Sequence, residues 1–175
     1  MGRILVAYST VDGHTRKICE RLRDALQRDG HAAELLEIRQ GTGADLASFD
    51  AVVIGASIRY GHHRPDVQAF VATHRAALDR LPCAFFSVNL VARKPGRATP
   101  ESNPYVRKFL QQTGWSPRVQ GVFAGKLDYA KYGAMDRLII RFIMWLTHGP
   151  TDPSACVDFT DWAAVDAYAK RVSGL

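Results

Sequence analysis

Five short runs dominated by branched apolar residues, RILVAYS (3–9), AAELLEI (32–38), AVVIGAS (51–57), CAFFSVNL (83–90) and VQGVFAG (119–125), punctuate the 175-residue chain. Runs of this kind read as strands buried on both faces of a parallel sheet. Between them the period changes. Ile18, Leu22, Ala25 and Leu26 recur at helical spacing, and Gly30 ends that helix where a left-handed residue is cheapest. Val67, Phe70, Val71, His74 and Leu78 mark a second helix with Pro65 close to its first turn. PYVRKFLQQTG (104–114) is a short third, and TDWAAVDAYAKRV (160–172) closes the chain with Thr160 or Asp161 as its N-cap. Strands alternating with helices imply parallel pairing through right-handed crossovers, with helices on both faces. Five such strands fit an α/β doubly wound sheet of order 2-1-3-4-5. In that arrangement ligands bind beyond the carboxyl ends of the strands, where the order reverses, so the loops after strands one, three and four should carry the function.

One piece departs from the alternation. About thirty residues, 126–155, separate the fifth strand from CVDFT, where a strand-to-helix connection usually takes about 2 to 6. The chain is read as one domain, 1–175, carrying this insertion. Apolar (47%) and charged (23%) fractions are ordinary for a soluble globular chain and exclude a disordered or membrane-embedded body. The net charge of +6 is what stands out, and it asks for an anionic partner. Cys19, Cys83 and Cys156 show no ligand spacing, predict no metal site, and read as buried reduced thiols. The apolar run at the N-terminus is too short for a secretory signal, and no stretch approaches the roughly 18 apolar residues of a spanning helix. A cytoplasmic location follows as the expectation.

The loop after strand one, Ser9-Thr10-Val11-Asp12-Gly13-His14-Thr15, runs into a helix N-terminus. Free N–H groups, the helix dipole and three hydroxyls make an anion site there that needs no lysine. The loop is neither a Walker A motif nor a G-x-G-x-x-G turn. Ser, Thr, Asp and Gly are equally good capping residues, so this loop alone leaves capping and phosphate binding even. Asp12 would repel a phosphate and must turn away from it. After strand three, Ser57, Ile58, Arg59, Tyr60 and Gly61 offer an aromatic ring and a cation. After strand four come Ser87, Val88, Asn89 and Leu90, then Arg93, Lys94 and Arg97.

Within the insertion, MDRLIIRFIMWLTHG (135–149) forms an amphipathic helix: Leu138, Ile139, Phe142, Ile143, Trp145 and Leu146 on one broad face, Arg137, Arg141 and His148 opposite. A basic amphipathic helix with a boundary tryptophan suits a membrane interface. About fifteen residues reach only about 22 Å, so it could lie on a bilayer but not cross it. Packing on its own domain or on a second copy explains the same pattern nearly as well.

STVDGHT, VVIGASIRYGHH, SVNLVARKP, TPESNPYVRKFL, MDRLIIRFIM and TDW together resemble the bacterial quinone-dependent protoporphyrinogen IX dehydrogenases, flavodoxin-like FMN enzymes of haem biosynthesis. The resemblance runs over nearly the whole chain. It departs at Met135, where an aromatic residue is expected, and at Pro150, where the second glycine of a Gly-Gly-x-Thr-Asp segment is expected. It implies a flavodoxin-like fold with FMN held by three loops. Residues 9–15 would hold the phosphate, 57–61 and 87–90 would meet the ring system, and Gly149, Thr151 and Asp152 would close over it. It implies protoporphyrinogen IX as substrate, ubiquinone or menaquinone as acceptor, and peripheral contact with the inner membrane through about 134–148. Arg59, His62, His63, Arg64, Arg93, Lys94 and Arg97 form a rim suited to two propionates. No dedicated acid or base is expected, because the cofactor carries the redox chemistry. An NAD(P)H-dependent quinone reductase is the runner-up. A flavodoxin-type electron carrier fits the positive charge poorly, and nothing supports a nucleic-acid module. A homo-oligomer is left open.

Overall fold

The computed structural model describes residues 1–175. Its elements in chain order are β1 (Arg3–Ser9), α1 (His14–Arg28), β2 (Ala32–Glu37), β3 (Ala51–Arg59), β4 (His62–His63), α2 (Pro65–Thr73), α3 (Arg75–Leu78), β5 (Cys83–Val88), α4 (Pro104–Thr113), β6 (Val119–Phe123), β7 (Lys126–Asp128), α5 (Ala134–Leu146), β8 (Cys156–Asp158) and α6 (Trp162–Ser173). The main sheet runs β2-β1-β3-β5-β6, all parallel, with β4 folded back on β3 as a short antiparallel partner. With β4 set aside this is the 2-1-3-4-5 order expected from the sequence.

Both faces of the sheet are covered, which is why its strands lack polar alternation. Ile4, Val6 and Tyr8 of β1, with Ala84, Phe86 and Val88 of β5, pack against α1 and α6. Leu5, Ala7, Cys83 and Phe85 point the other way, onto α2 and α4. Two glycines are required by that packing. A Cβ at Gly55 would lie 2.3 Å from the Phe86 ring, and one at Gly121 would lie 2.8 Å from Tyr168.

Caps follow the residue chemistry. Asp161 accepts from the Ala164 amide at the start of α6, Asn103 from the Tyr105 amide at the start of α4, and Gly114 takes the left-handed position that ends α4. The helix expected over Val67–Leu78 is broken into α2 and α3. His74 leaves helical geometry, stacks on Phe70 and uses its ring nitrogens on the backbone of Phe70 and Ala44.

The insertion is a small unit of its own. β7 and β8 pair antiparallel at its base, and α5 rises from them around a small core of Leu127, Tyr129, Tyr132 and Met144. Its structural boundary therefore lies at Asp158, three residues beyond the expected 155. Cys156 sits on β8 and is exposed, unlike the buried Cys19 and Cys83, and all three are free thiols.

The orientation of α5 separates the readings its sequence left open, because its broad apolar face is not packed on its own domain. Only Met144 is fully buried, and Arg137, read as part of the basic stripe opposite the apolar face, is half-buried and donates to the Tyr132 carbonyl at 3.3 Å. The apolar face points outward: Leu138, Phe142, Trp145 and Leu146 are 61–67% exposed.

Candidate flavin site

The loops after β1, β3 and β5 converge on a cavity of about 590 Å³, a size typical of small-molecule sites. Thr10, Val11, Asp12, Gly13, His14, Thr15 and Lys17 form one wall. Ser57 to Gly61 form a second, and Val88 to Val91 with Arg93 and Lys94 form a third. Tyr105 adds to the rim, while Gly125, Lys126 and Asp128 come from β7 and the turn before it. The roof is the insertion: Lys131, Tyr132, the inner edge of α5 at Ile139, Ile140, Ile143 and Met144, and Thr147 just after it.

At the polar end the capping expected of these residues is not made. Gly13 precedes α1 at φ 81, and no side chain caps the helix. Thr10 Oγ1 accepts from the Gly13 amide at 3.0 Å, which braces the loop without satisfying the first turn of α1. The hydroxyls of Ser9, Thr15 and Ser57 and the Nδ1 of His14 are buried without a hydrogen-bond partner. Buried orphans of this kind are rare unless a ligand completes them. An uncapped helix end with a glycine turn and three hydroxyls fits a phosphate group.

Asp12 does turn from that end, but not to solvent. It is half-buried and pairs with Arg59 at 3.2 Å; burial pushes its carboxyl up while Arg59 opposes the rise. Arg59 also pairs with Asp136 at the start of α5, and the Tyr60 hydroxyl donates to the same carboxylate. The Tyr60 hydrogen bond and Arg59 hold Asp136 below the usual carboxylate range. The guanidinium lies 5.4 Å from the centroids of both the Tyr60 and Tyr132 rings. Arg59 is thus the centre of a clasp joining three segments, rather than a free cation on the rim. Arg93 is similarly engaged, donating to the Leu90 carbonyl at 2.8 Å and to Thr147 Oγ1 at 2.7 Å, and so ties the far end of α5 to the loop after β5.

The two histidines separate. Tyr60 and Gly61 both take positive φ in a two-residue hairpin turn, which turns His63 inward opposite Ile58 and His62 outward opposite Arg59. His62 is exposed and its Nδ1 meets Lys108 at 3.2 Å. His63 is buried, 3.0 Å from Ser87 Oγ and edge-on to Phe85 and Phe109; burial pushes its pKa down to about 4. A neutral core imidazole cannot serve a propionate.

Ser87 likewise lies behind the wall, bonded to His63 and Asn89, while Asn89 holds the Ala92 amide and Asn103. Gly149 is off the cavity wall: a Cβ there would fall 2.6 Å from Met144 Sδ and 3.0 Å from Arg93. Thr151 is also off the wall, and Asp152 caps its own turn through Ser154. Arg64 pairs with Asp66, and Arg97 donates to the Ser102 carbonyl. Lys17, Tyr105, Lys126, Lys131, Ile140, Met144 and Thr147 line the cavity without having been singled out in the sequence, while Ile139 and Ile143 were read there only as part of an apolar helix face. Lys17 could have been singled out, since it follows the loop by one helical turn.

A parallel sheet of this order with an anion cradle after its first strand defines the flavodoxin class of flavin-binding proteins. The sequence model of a family described as the flavodoxin domain matches residues 5–154. A solved flavodoxin, a WrbA-like protein from Agrobacterium tumefaciens, superposes with a TM-score of 0.56 at 12% identity, over 99% of this chain and 96% of that one, a likeness of fold alone. Within the class the similarity is much closer to one activity. The chain is 42% identical over 174 residues to protoporphyrinogen IX dehydrogenase (quinone) of Leishmania major, covering 99% of this chain and 75% of the relative. It is 42% identical over 173 residues to the Escherichia coli K12 protein of the same name, covering 99% and 96%. The chain belongs to the flavodoxin domain family and, within it, to the family of these quinone-linked dehydrogenases.

Proposed function

We propose that this protein uses FMN to oxidise protoporphyrinogen IX to protoporphyrin IX and passes the electrons to a membrane quinone, ubiquinone or menaquinone. One observation carries the reading: a single cavity joins a phosphate cradle on β1 and α1 to the underside of a helix whose outer face is apolar. Ser9, Thr10, Gly13, His14, Thr15 and Ser57 hold the phosphate. Ile58 to Gly61 and Val88 to Leu90 bound the ring system.

FMN, when bound, supplies two-electron redox chemistry. The chain's own residues orient and screen. Both carboxylates in the cavity wall are ion-paired, Asp12 with Arg59 and Asp128 with Lys126 at 3.4 Å, so the wall offers no free carboxylate base. With Arg59 and Arg93 committed to holding α5, the propionates fall to Lys94 and to Lys131, whose ammonium spends one of its three donors on the Asp12 carbonyl at 3.1 Å. Removing six electrons and six protons from the porphyrinogen takes three two-electron turnovers.

The quinone end follows from α5. Ile139 and Ile143 line the cavity and are also 41% and 45% exposed, beside the exposed Leu138, Phe142 and Leu146, so the apolar face of α5 adjoins the site. Thirteen residues span about 20 Å, and no helix is long and apolar enough to cross a membrane. The helix lies in the interface of the inner membrane, on its cytoplasmic side, with Phe142, Trp145 and Leu146 immersed.

The test is anaerobic. Protoporphyrinogen IX should bleach the bound flavin, and added quinone should restore its colour. A flavin that ignores the porphyrinogen but is bleached by NADPH would replace this reading with an NAD(P)H-dependent quinone reductase.

A further inference from the structure

His14 is the first residue of α1 and lies in the cavity wall, with its ring buried. Its Nε2 is 2.6 Å from Thr160 Oγ1 and 3.5 Å from Asp158 Oδ1. The Thr160 hydroxyl already donates to the Ala124 carbonyl at 2.9 Å, which can only accept. Thr160 therefore accepts from His14, and the carboxylate of Asp158 also requires a proton on that nitrogen. The network assigns the tautomer: Nε2 carries the hydrogen, and in the neutral ring Nδ1 is a lone pair. Nδ1 is the atom left without a partner. A lone pair cannot bind the unprotonated oxygens of a phosphate dianion, the form present at pH 7.5; a protonated Nδ1 can.

We infer that His14 is the proton-linked contact of the cofactor phosphate, binding it only as an imidazolium, so that this site takes up a proton with FMN and rejects the unphosphorylated flavin. The inference rests on the FMN assignment above. Without ligand, burial is the largest influence and holds the ring neutral, helped by Lys17 on the same helix, Lys126 on β7 and Lys131 in the turn before α5. Asp158 on β8 is the one charged group favouring the cation, and Trp162 meets the ring edge-on at 6.0 Å without charge. A phosphate dianion beside Nδ1 adds the negative charge that tips the balance. The second ionisation of a phosphate monoester lies near pH 6, so at pH 7.5 the ligand arrives without the proton and it comes from solvent.

Calorimetric titration of the flavin-free full chain with FMN at pH 7.5, in buffers of low and high ionisation enthalpy, counts that proton. Wild type should take up about one proton per FMN and none with riboflavin, and its affinity for FMN should weaken by up to about tenfold per pH unit above neutrality. His14→Gln keeps a neutral donor and should bind FMN with no uptake and no such pH dependence. No uptake by wild type, or wild-type uptake by His14→Gln, overturns the inference. Should the variant misfold, equal uptake with FMN and riboflavin in wild type overturns it alone. Failure of wild type to bind FMN at all would instead remove the cofactor assignment.

Discussion

His14 and His63 are imidazoles on either side of the same wall, and their surroundings give them opposite work. His63 has no carboxylate near it, only Ser87 and two phenyl rings, and its pKa falls to about 4. The folded value lies below the unfolded value of 6.5, so the stabilisation is complete above pH 6.5 and is lost as the pH falls through 4. The shift is worth about 3 kcal/mol over that window. Urea unfolding at pH 7 and pH 4.5 should show His63→Gln losing about 2 kcal/mol less stability on acidification than wild type; an equal loss would place the sensitive group elsewhere. The sequence read His63 as a rim cation because HH gives no clue to which ring turns inward. That is decided by a two-residue turn in which Tyr60 takes φ 50, a conformation the residue type does not announce. Gly55 is the opposite case, a glycine inside a strand whose reason lies in Phe86 across the β3–β5 ladder. Gly55→Ala should cost about 1–3 kcal/mol by denaturant titration, since a Cβ at 2.3 Å must displace an aromatic ring in a full core.

At the level of elements, the strands and most helices were legible because period and caps are local signals. The five main-sheet strands begin where the apolar runs begin, and the differences lie at their ends: β3 runs on to Arg59, and β5 and β6 stop short of their loops. Elements made by long-range pairing were not legible. Three-residue strands such as β7 and β8 have no periodicity of their own and exist because each meets the other. The helical wheel of α5 was readable in the same way, yet which face turns inward was not, since either face could satisfy the wheel. Only a narrow stripe at Ile140 and Met144 meets the domain, while the clasp at Arg59 and the Arg93–Thr147 bond hold the two ends. The exposed face can therefore be changed without touching the fold. Phe142→Ser, Trp145→Ser and Leu146→Ser together should leave the thermal midpoint within about 2 °C, because these side chains bury little. Sedimentation with anionic vesicles should fall more than tenfold, each side chain contributing about 1.5–3 kcal/mol when immersed. Undiminished sedimentation would move membrane contact away from α5.

For the whole molecule, the proposed function divides the labour between a doubly wound body that would hold the cofactor and an insertion that would meet the acceptor, and the cavity is lined by both. The cradle hangs on β1, α1 and β3, and none of these depends on α5 for its backbone hydrogen bonding, although the Arg59 side chain at the end of β3 pairs with Asp136 of α5. The insertion's base is different. β8 and the residues after it bring Asp158 and Thr160 to His14, and Tyr129 donates to the Pro150 carbonyl at 2.8 Å, so removing β7 would disturb the cradle itself. A clean separation must keep both base strands and replace only Gly133–Thr147 with a glycine-serine linker. That variant loses the roof at Ile139, Ile143 and Met144 and releases Arg59 from Asp136 and Arg93 from Thr147. It should still bind FMN, with weaker affinity, and should still be bleached by protoporphyrinogen IX. With the apolar route gone, reoxidation by an isoprenoid quinone in vesicles should fall by at least tenfold, while a short-chain soluble quinone continues to restore the flavin colour. Equal rates with both quinones would show that electrons leave the cavity by a path that does not involve α5, and the helix would then be a roof alone.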